Sequence, residues 1–123
     1  IEQYVQAALQ AVGMRGFEDA VPYHLSLGQK KRVAIATVLS MQPQLLLFDE
    51  PTMGLDARAR KQFIRIVQGL PQTILLATHD LRLAAALCER VIVLDGGQIV
   101  YDGNLKMAMQ DSGFLEQHGL DFE

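Results

Sequence analysis

The strongest constraint on this chain is a change of period, repeated four times between residues 45 and 94. Leu45–Phe48 is a short apolar run, and Ala57–Gly69 spaces Phe63, Ile64 and Val67 at helical intervals with charges between them. Thr73–Thr78 is rich in β-formers, Leu81–Cys88 returns to helical spacing, and Val91–Leu94 is a third apolar run. Apolar runs of four to eight residues bounded by breakers read as strands, and the longer periodic stretches read as helices. Strand, helix, strand, helix, strand is the pattern of an α/β domain with a parallel sheet and right-handed crossovers. Strands in such sheets are covered on both faces, which predicts unbroken apolar runs of this kind.

The flanks extend the pattern. Glu2–Val12 places Val5, Ala8, Leu9 and Val12 on one helical face, and Gly13 is a stop signal. A looser stretch containing Pro22 leads into a helix predicted over Leu27–Met41, which Pro43 closes. Beyond the third apolar run, Asp95-Gly96-Gly97 is a hairpin turn, so Gln98–Tyr101 should return antiparallel at the sheet edge. Short helices are predicted over Leu105–Gln110 and Gly113–His118.

Composition narrows the class. The chain has 123 residues, 50% of them apolar, and a net charge of −3, which is enough apolar material for one core and too little for disorder. Nucleic acid is not expected as a partner, because a domain of this size that binds it is usually basic. The lone cysteine, Cys88, cannot form an internal disulfide, which fits a reducing compartment. No apolar run approaches the roughly 20 residues that a membrane span requires. The chain opens on Ile1 with a helix already under way, which reads as a cut and not as a natural start.

In open α/β sheets, ligands gather at the carboxyl ends of the strands. The first strand ends in Asp49-Glu50 and the second in Thr78-His79-Asp80, which puts carboxylates and an imidazole on one expected rim. Each also has a purely structural reading. The acids at 49 and 50 favour the start of the next helix, and Asp80 is a good N-cap for Leu81–Cys88. Ser26-Leu27-Gly28-Gln29 fits a capping box. Lys30-Lys31-Arg32 then sets cations against the positive end of the helix dipole. Such a collar suits a phosphate, and it suits a solvated basic face equally well.

A family resemblance separates these readings. Leu25-Ser26-Leu27-Gly28-Gln29 resembles the ABC signature motif, usually L-S-G-G-Q, and Lys-Lys-Arg-Val-Ala-Ile-Ala after it resembles the same family. Leu45–Glu50 looks like the Walker B strand with its catalytic glutamate, Pro51–Asp56 looks like the D-loop, and His79 falls where the switch histidine belongs. The resemblance runs from about Leu25 to Gly103 and implies the C-terminal part of an ABC-type P-loop NTPase. It divides the chain into 1–42 (end of the helical subdomain and signature helix), 43–103 (catalytic core) and 104–123 (C-terminal helices). The resemblance also implies roles. Asp49 would hold Mg²⁺ through water, Glu50 would be the general base, and His79 would contact the γ-phosphate. Leu25, Ser26, Leu27, Gly28 and Gln29 would bind the partner subunit's ATP, with the Ser26 hydroxyl and Gly28 N–H on its γ-phosphate, and Asp56 would couple the two sites. Leu27 departs from the family, which usually has glycine there.

No glycine in the chain is followed by lysine, so the phosphate-cradling G-x-x-x-x-G-K-[ST] is absent, and the chain alone is expected to be inactive. Leu25–Ala36 and the run Thr78–Asp95 look like the ATPases of cobalt, nickel and energy-coupling-factor (vitamin) importers. That likeness implies a second ABC ATPase subunit and integral membrane subunits as partners, at the cytoplasmic face of the membrane. The alternatives are a soluble ABC ATPase acting on ribosomes or DNA, and a non-catalytic module that completes a partner's ATP site.

Overall fold

A computed structural model describes residues 1–120. It divides into two compact units, Ile1–Ala77 and a second that begins at Thr78. In the first unit α1 (Glu2–Ala11) packs along α2 (Leu27–Leu39). α1 stops where Gly13 takes φ +66°, a left-handed conformation that glycine adopts without a Cβ penalty. Val12 and Met14, on either side of that glycine, are fully buried, and Ala8, Leu9, Ile35, Ala36 and Leu39 join them in the core. A 3-10 turn at Pro22–His24 occupies the stretch between α1 and α2.

β1 (Leu45–Asp49) and β2 (Thr73–Ala77) pair in parallel, from Leu45 opposite Thr73 to Asp49 opposite Ala77. The crossover between them is α3 (Ala57–Gln68), whose apolar stripe buries Phe63 and Val67. Phe48 of β1 meets Phe63 edge to face at 5.5 Å, and Leu46 beside it is buried. Aromatic pairs favour this geometry because the ring edge is positive and the ring face negative. The strand–helix–strand unit is therefore held from one side.

The other side differs from the expectation that both faces would be covered. Leu45, Leu47 and Leu75 are 47%, 69% and 55% exposed, so the two strands alternate between covered and open positions. Side chains of successive strand residues point to opposite faces, and α3 covers only one of them. The apolar runs mark the strands, and the exposed leucines leave one face of the pair open.

In the second unit α4 (Leu81–Leu87) starts at Asp80, whose carboxylate accepts from the Leu83 N–H at 2.9 Å. β3 (Arg90–Asp95) then turns through Gly96 and Gly97, at φ +55° and +78°, into β4 (Gln98–Asn104). Two positive φ values suit the tight turn that matches strand twist. The third apolar run is thus the first strand of an antiparallel pair, and the parallel ladder comprises β1 and β2. A two-residue turn makes local pairing inexpensive in loop entropy, which favours β4 as the partner of β3. The ladder shifts register between Val93 and Leu94, leaving Val100 as the extra residue of a bulge.

Arg90 grips Asp102 with two parallel bonds of 2.8 Å, which hold the Asp102 carboxyl below its usual range. α5 (Leu105–Gln110) and α6 (Ser112–Gln117) follow. α6 begins one residue before the sequence estimate because Asp111 caps it, accepting from the Phe114 N–H at 2.9 Å. His118 Nδ1 lies 2.6 Å from the Asp95 carboxylate, tying the end of α6 to the hairpin, and its ring meets Phe114 in a tilted contact at 4.7 Å. Burial pushes the Cys88 thiol above its ordinary value, so it is a poorer nucleophile than a free cysteine. Among the described residues no helix is long and apolar enough to cross a membrane.

The open face of the parallel pair predicts behaviour. The isolated chain should self-associate and bind an apolar dye, since uncovered apolar strands are a template for association. Replacing both Leu47 and Leu75 with Lys should diminish both signals. Light scattering that shows a monodisperse wild-type monomer with no dye response would contradict this.

Candidate nucleotide site

The acidic end of β1 is built by the ladder. Asp49 sits opposite Ala77 in the last parallel pair, and the next N–H, that of Glu50, donates to the Ala77 carbonyl at 2.9 Å. Glu50 itself has φ +42°, one of two non-glycine residues described in the left-handed region. For an L-residue this conformation costs roughly 1–2 kcal/mol. Pro51 closes the right-handed helical region to Glu50, because the proline ring crowds the preceding residue. The chain then folds back in a short turn, with the Met53 N–H donating to the Glu50 carbonyl at 3.2 Å and Leu55 N–H to Thr52 at 3.1 Å. Among the described residues Thr52 is the one polar side chain buried with the core, and Gly54 turns the chain again at φ +78°. Asp49 is exposed and Glu50 half-buried.

The start of α2 faces this turn. The capping box forms as the sequence predicts, with Ser26 Oγ accepting from the Gln29 N–H and Gln29 Oε1 accepting from the Ser26 N–H. Both side chains are therefore structural, yet the Ser26 hydroxyl still has its own proton to donate. A Cβ on Gly28 would come within 3.1 Å of the Ala59 Cβ, so glycine there lets α2 approach the first turn of α3. The Leu27 side chain lies over Gly54, with Cδ2 3.2 Å from where a Cβ on that glycine would stand.

The cationic triplet is neither a plain phosphate collar nor a plain solvated face. Lys31 Nζ donates to the carbonyl oxygens of Pro51 at 2.6 Å and Met53 at 2.8 Å, and Arg32 Nη1 reaches the Gly13 carbonyl at 3.5 Å. Cations that oppose the helix dipole are thereby matched to carbonyl oxygens on neighbouring loops. Sequence reasoning missed this use, since the spacing of 20 and 22 residues carries no local signal.

Asp56 caps α3, its Oδ1 accepting from the Ala59 N–H at 2.7 Å, and it remains exposed. Leu25 is extended backbone leading into Ser26. The signature residues, Asp49, Glu50 and Asp56 all belong to the first unit. His79 is exposed and belongs to the second, two residues along the chain from Ala77, between Thr78 and the α4 cap Asp80. Among the described residues no three metal-binding side chains cluster.

Comparison with known proteins agrees with the motifs. The family described as "ABC transporter" matches residues 1–53. A Gloeobacter violaceus protein described as an ABC transporter ATP-binding protein is 46% identical over 98% of this chain and 50% of its own length. An energy-coupling factor transporter ATP-binding protein of Methanocaldococcus jannaschii is 43% identical over 90% of this chain and 41% of its own. Among solved structures, CbiO1 from Clostridium perfringens, part of the ABC transporter complex CbiONQ, superposes with TM-score 0.81 at 35% identity, covering 94% of this chain and 48% of that one. The chain belongs to the ABC transporter ATP-binding family and has the α/β fold of part of its ATPase domain. It spans about half the length of the curated relatives it matches.

The strain at Glu50 can be measured without nucleotide. Glu50→Gly should fold at least as stably as wild type, whereas Glu50→Val, β-branched at positive φ, should be less stable than the Gly variant by about 2 kcal/mol. Urea denaturation of the two variants checks this; equal midpoints would mean that the left-handed conformation is not held in solution.

Proposed function

We propose that this chain is part of the ATP-hydrolysing subunit of an ABC importer. The observation that carries the reading is the acidic end of β1, where Asp49 is fixed by the ladder and Glu50 is held at positive φ by a bond to Ala77. Strain of this kind persists only where the surroundings enforce it, and it gathers at functional sites.

Each residue then has a chemical task. Glu50 acts as general base on the attacking water, a role that needs a carboxylate held rigidly within reach of it. Asp49 supplies one exposed carboxylate, a donor set that suits Mg²⁺, which takes one or two carboxylates and fills its shell with phosphate and water. When bound, that ion offsets the charge on the β- and γ-phosphates. Ser26 donates its free hydroxyl proton, and Gly28 its first-turn N–H, to the γ-phosphate of ATP held by a second subunit. Leu25, Leu27 and Gln29 set the backbone of that half-site. His79 contacts the γ-phosphate, and Asp56 links the two sites across the dimer. Phosphoryl transfer asks little covalent chemistry of a protein, so positioning of this sort supplies most of the catalysis.

The remaining parts lie outside the residues at hand. The chain has no phosphate-cradling loop, so turnover needs an upstream half carrying one. The relatives are about twice as long, which leaves room for it. The names of the Methanocaldococcus and Clostridium relatives, an energy-coupling factor transporter ATP-binding protein and a part of an ABC transporter complex, support a transport role. We read the direction as import, of a vitamin or a transition-metal ion, with integral membrane subunits as partners at the cytoplasmic face. We retain 1–42, 43–103 and 104–123 as the functional division within this assembly.

The test uses both forms. The chain alone should show no ATP turnover, and the intact protein should hydrolyse ATP. In the intact protein Glu50→Gln should lower turnover by roughly 10²-fold or more while ATP still binds and closes the dimer, as loss of a general base predicts. Continued hydrolysis by the Gln variant would remove Glu50 from its assigned role.

A further inference from the structure

We propose that Lys31 is a positioning residue for hydrolysis, tying the half-site on α2 to the turn that carries Glu50. This rests on the function proposed above and goes beyond it, because the signature motif ends at Gln29 and assigns Lys31 no role.

The argument begins with where the ammonium lands. Lys31 Nζ donates to two carbonyl oxygens, those of Pro51 at 2.6 Å and Met53 at 2.8 Å, which bracket buried Thr52. Bonds from a charged donor are shorter and stronger than neutral ones. Their target is the turn that opens at Glu50 with φ +42° and closes at Gly54 with φ +78°. A turn of this shape needs external support, because a residue before proline prefers extended backbone. Release of the two carbonyls lets Glu50 relax toward that preference and carries its carboxylate away from the water it must activate.

The other end of the tether matters equally. Lys31 is two residues beyond Gln29 on α2, the helix whose first turn presents Ser26 and Gly28. Leu27 over Gly54 and Gly28 against Ala59 make the same junction by packing alone. Packing resists approach but not sliding, whereas two directed bonds to one ammonium fix the register between helix and turn. In the proposed dimer α2 serves one nucleotide and Glu50 the other. Lys31 makes these two half-sites of one subunit move as one body.

The test is made on the intact protein with Lys31→Met, which keeps most of the stem and loses the donor, and Lys31→Arg, which keeps a charged donor. Lys31→Met should lower kcat for ATP hydrolysis about tenfold with KM nearly unchanged, since the loss falls on the transition state. Amide hydrogen exchange at Met53 and Leu55, whose N–H groups close the turn, should quicken in Lys31→Met. Lys31→Arg should recover most of the rate and the protection. If Lys31→Met does not fold, Lys31→Gln replaces it. Wild-type kcat in the Met variant, or equal losses in Met and Arg, would overturn the proposal. Lost rate with unchanged exchange would refute the tether while leaving the ATPase reading intact. Absence of any Glu50-dependent turnover in the wild type would instead defeat the ATPase reading, and the positioning role with it.

Discussion

The site depends on a hydrogen-bond ladder that runs one bond past the end of its strand. From Leu45 opposite Thr73 to Asp49 opposite Ala77 the pairing is regular parallel sheet, and then the Glu50 N–H reaches back to Ala77 although Glu50 has left the extended conformation. This bond anchors a strained residue to the most rigid part of the unit. Everything downstream inherits its position: Pro51, the turn over Thr52, Gly54, and Asp56 at the cap of α3. A single-residue slip in the parallel register would exchange the faces of β1, since strand side chains alternate. It would also carry the acid away from the end of the ladder. The Phe48–Phe63 contact and buried Leu46 guard against that slip from the covered face.

The start of α2 shows how a helix can be capped while some of its donors stay open. The capping box satisfies the Ser26 and Gln29 N–H groups, and the Lys30 N–H finds the Ser26 carbonyl at 2.8 Å. Helix geometry leaves the donors of Leu27 and Gly28 directed out of the first turn, where an anion is favoured by the helix dipole. The cap therefore preorganises the donors without consuming them. Cations in that turn act against the dipole, and drawing Lys31 onto two carbonyl oxygens and Arg32 toward a third offsets the conflict.

Much of this was legible in the sequence, for identifiable reasons. Gly13, Pro43 and the Gly96-Gly97 pair marked where elements stop, because each restricts or frees φ in a way that no neighbour can override. Asp80 was read as a cap and is one, because the interaction spans three residues. The acids at 49 and 50 were placed at a strand end by the apolar run before them. What escaped was long-range. Lys31 and its carbonyl partners are 20 and 22 residues apart, and the left-handed backbone of Glu50 has no compositional mark, since glutamate seldom adopts it. The antiparallel pairing of β3 with β4 follows the turn signal at Asp95-Gly96-Gly97, because a tight turn sets the partner of the strand before it locally. The open face of β1 and β2 marks the limit of the apolar pattern. An apolar run says that a strand is to be covered, not that the covering lies within the same residues.

Leu27 shows how a departure from a family motif can be compatible with its fold. A side chain replaces glycine at the mouth of the half-site, and at first sight this crowds the position where phosphate would approach. The Leu27 side chain instead lies along the chain toward Gly54, with Cδ2 3.2 Å from the space a Cβ would fill there. Gly54 sits at φ +78°, so glycine is required by backbone conformation as well as by the leucine above it. The leucine thus lies against room that Gly54 leaves empty. A side chain added at Gly54 would therefore meet Leu27 as well as an unfavourable φ. With the leucine folded over the loop, α2 is pressed to the Glu50 turn by apolar contact on one side and by the Lys31 ammonium on the other. α2 and the turn after β1 are in this way built as a single piece.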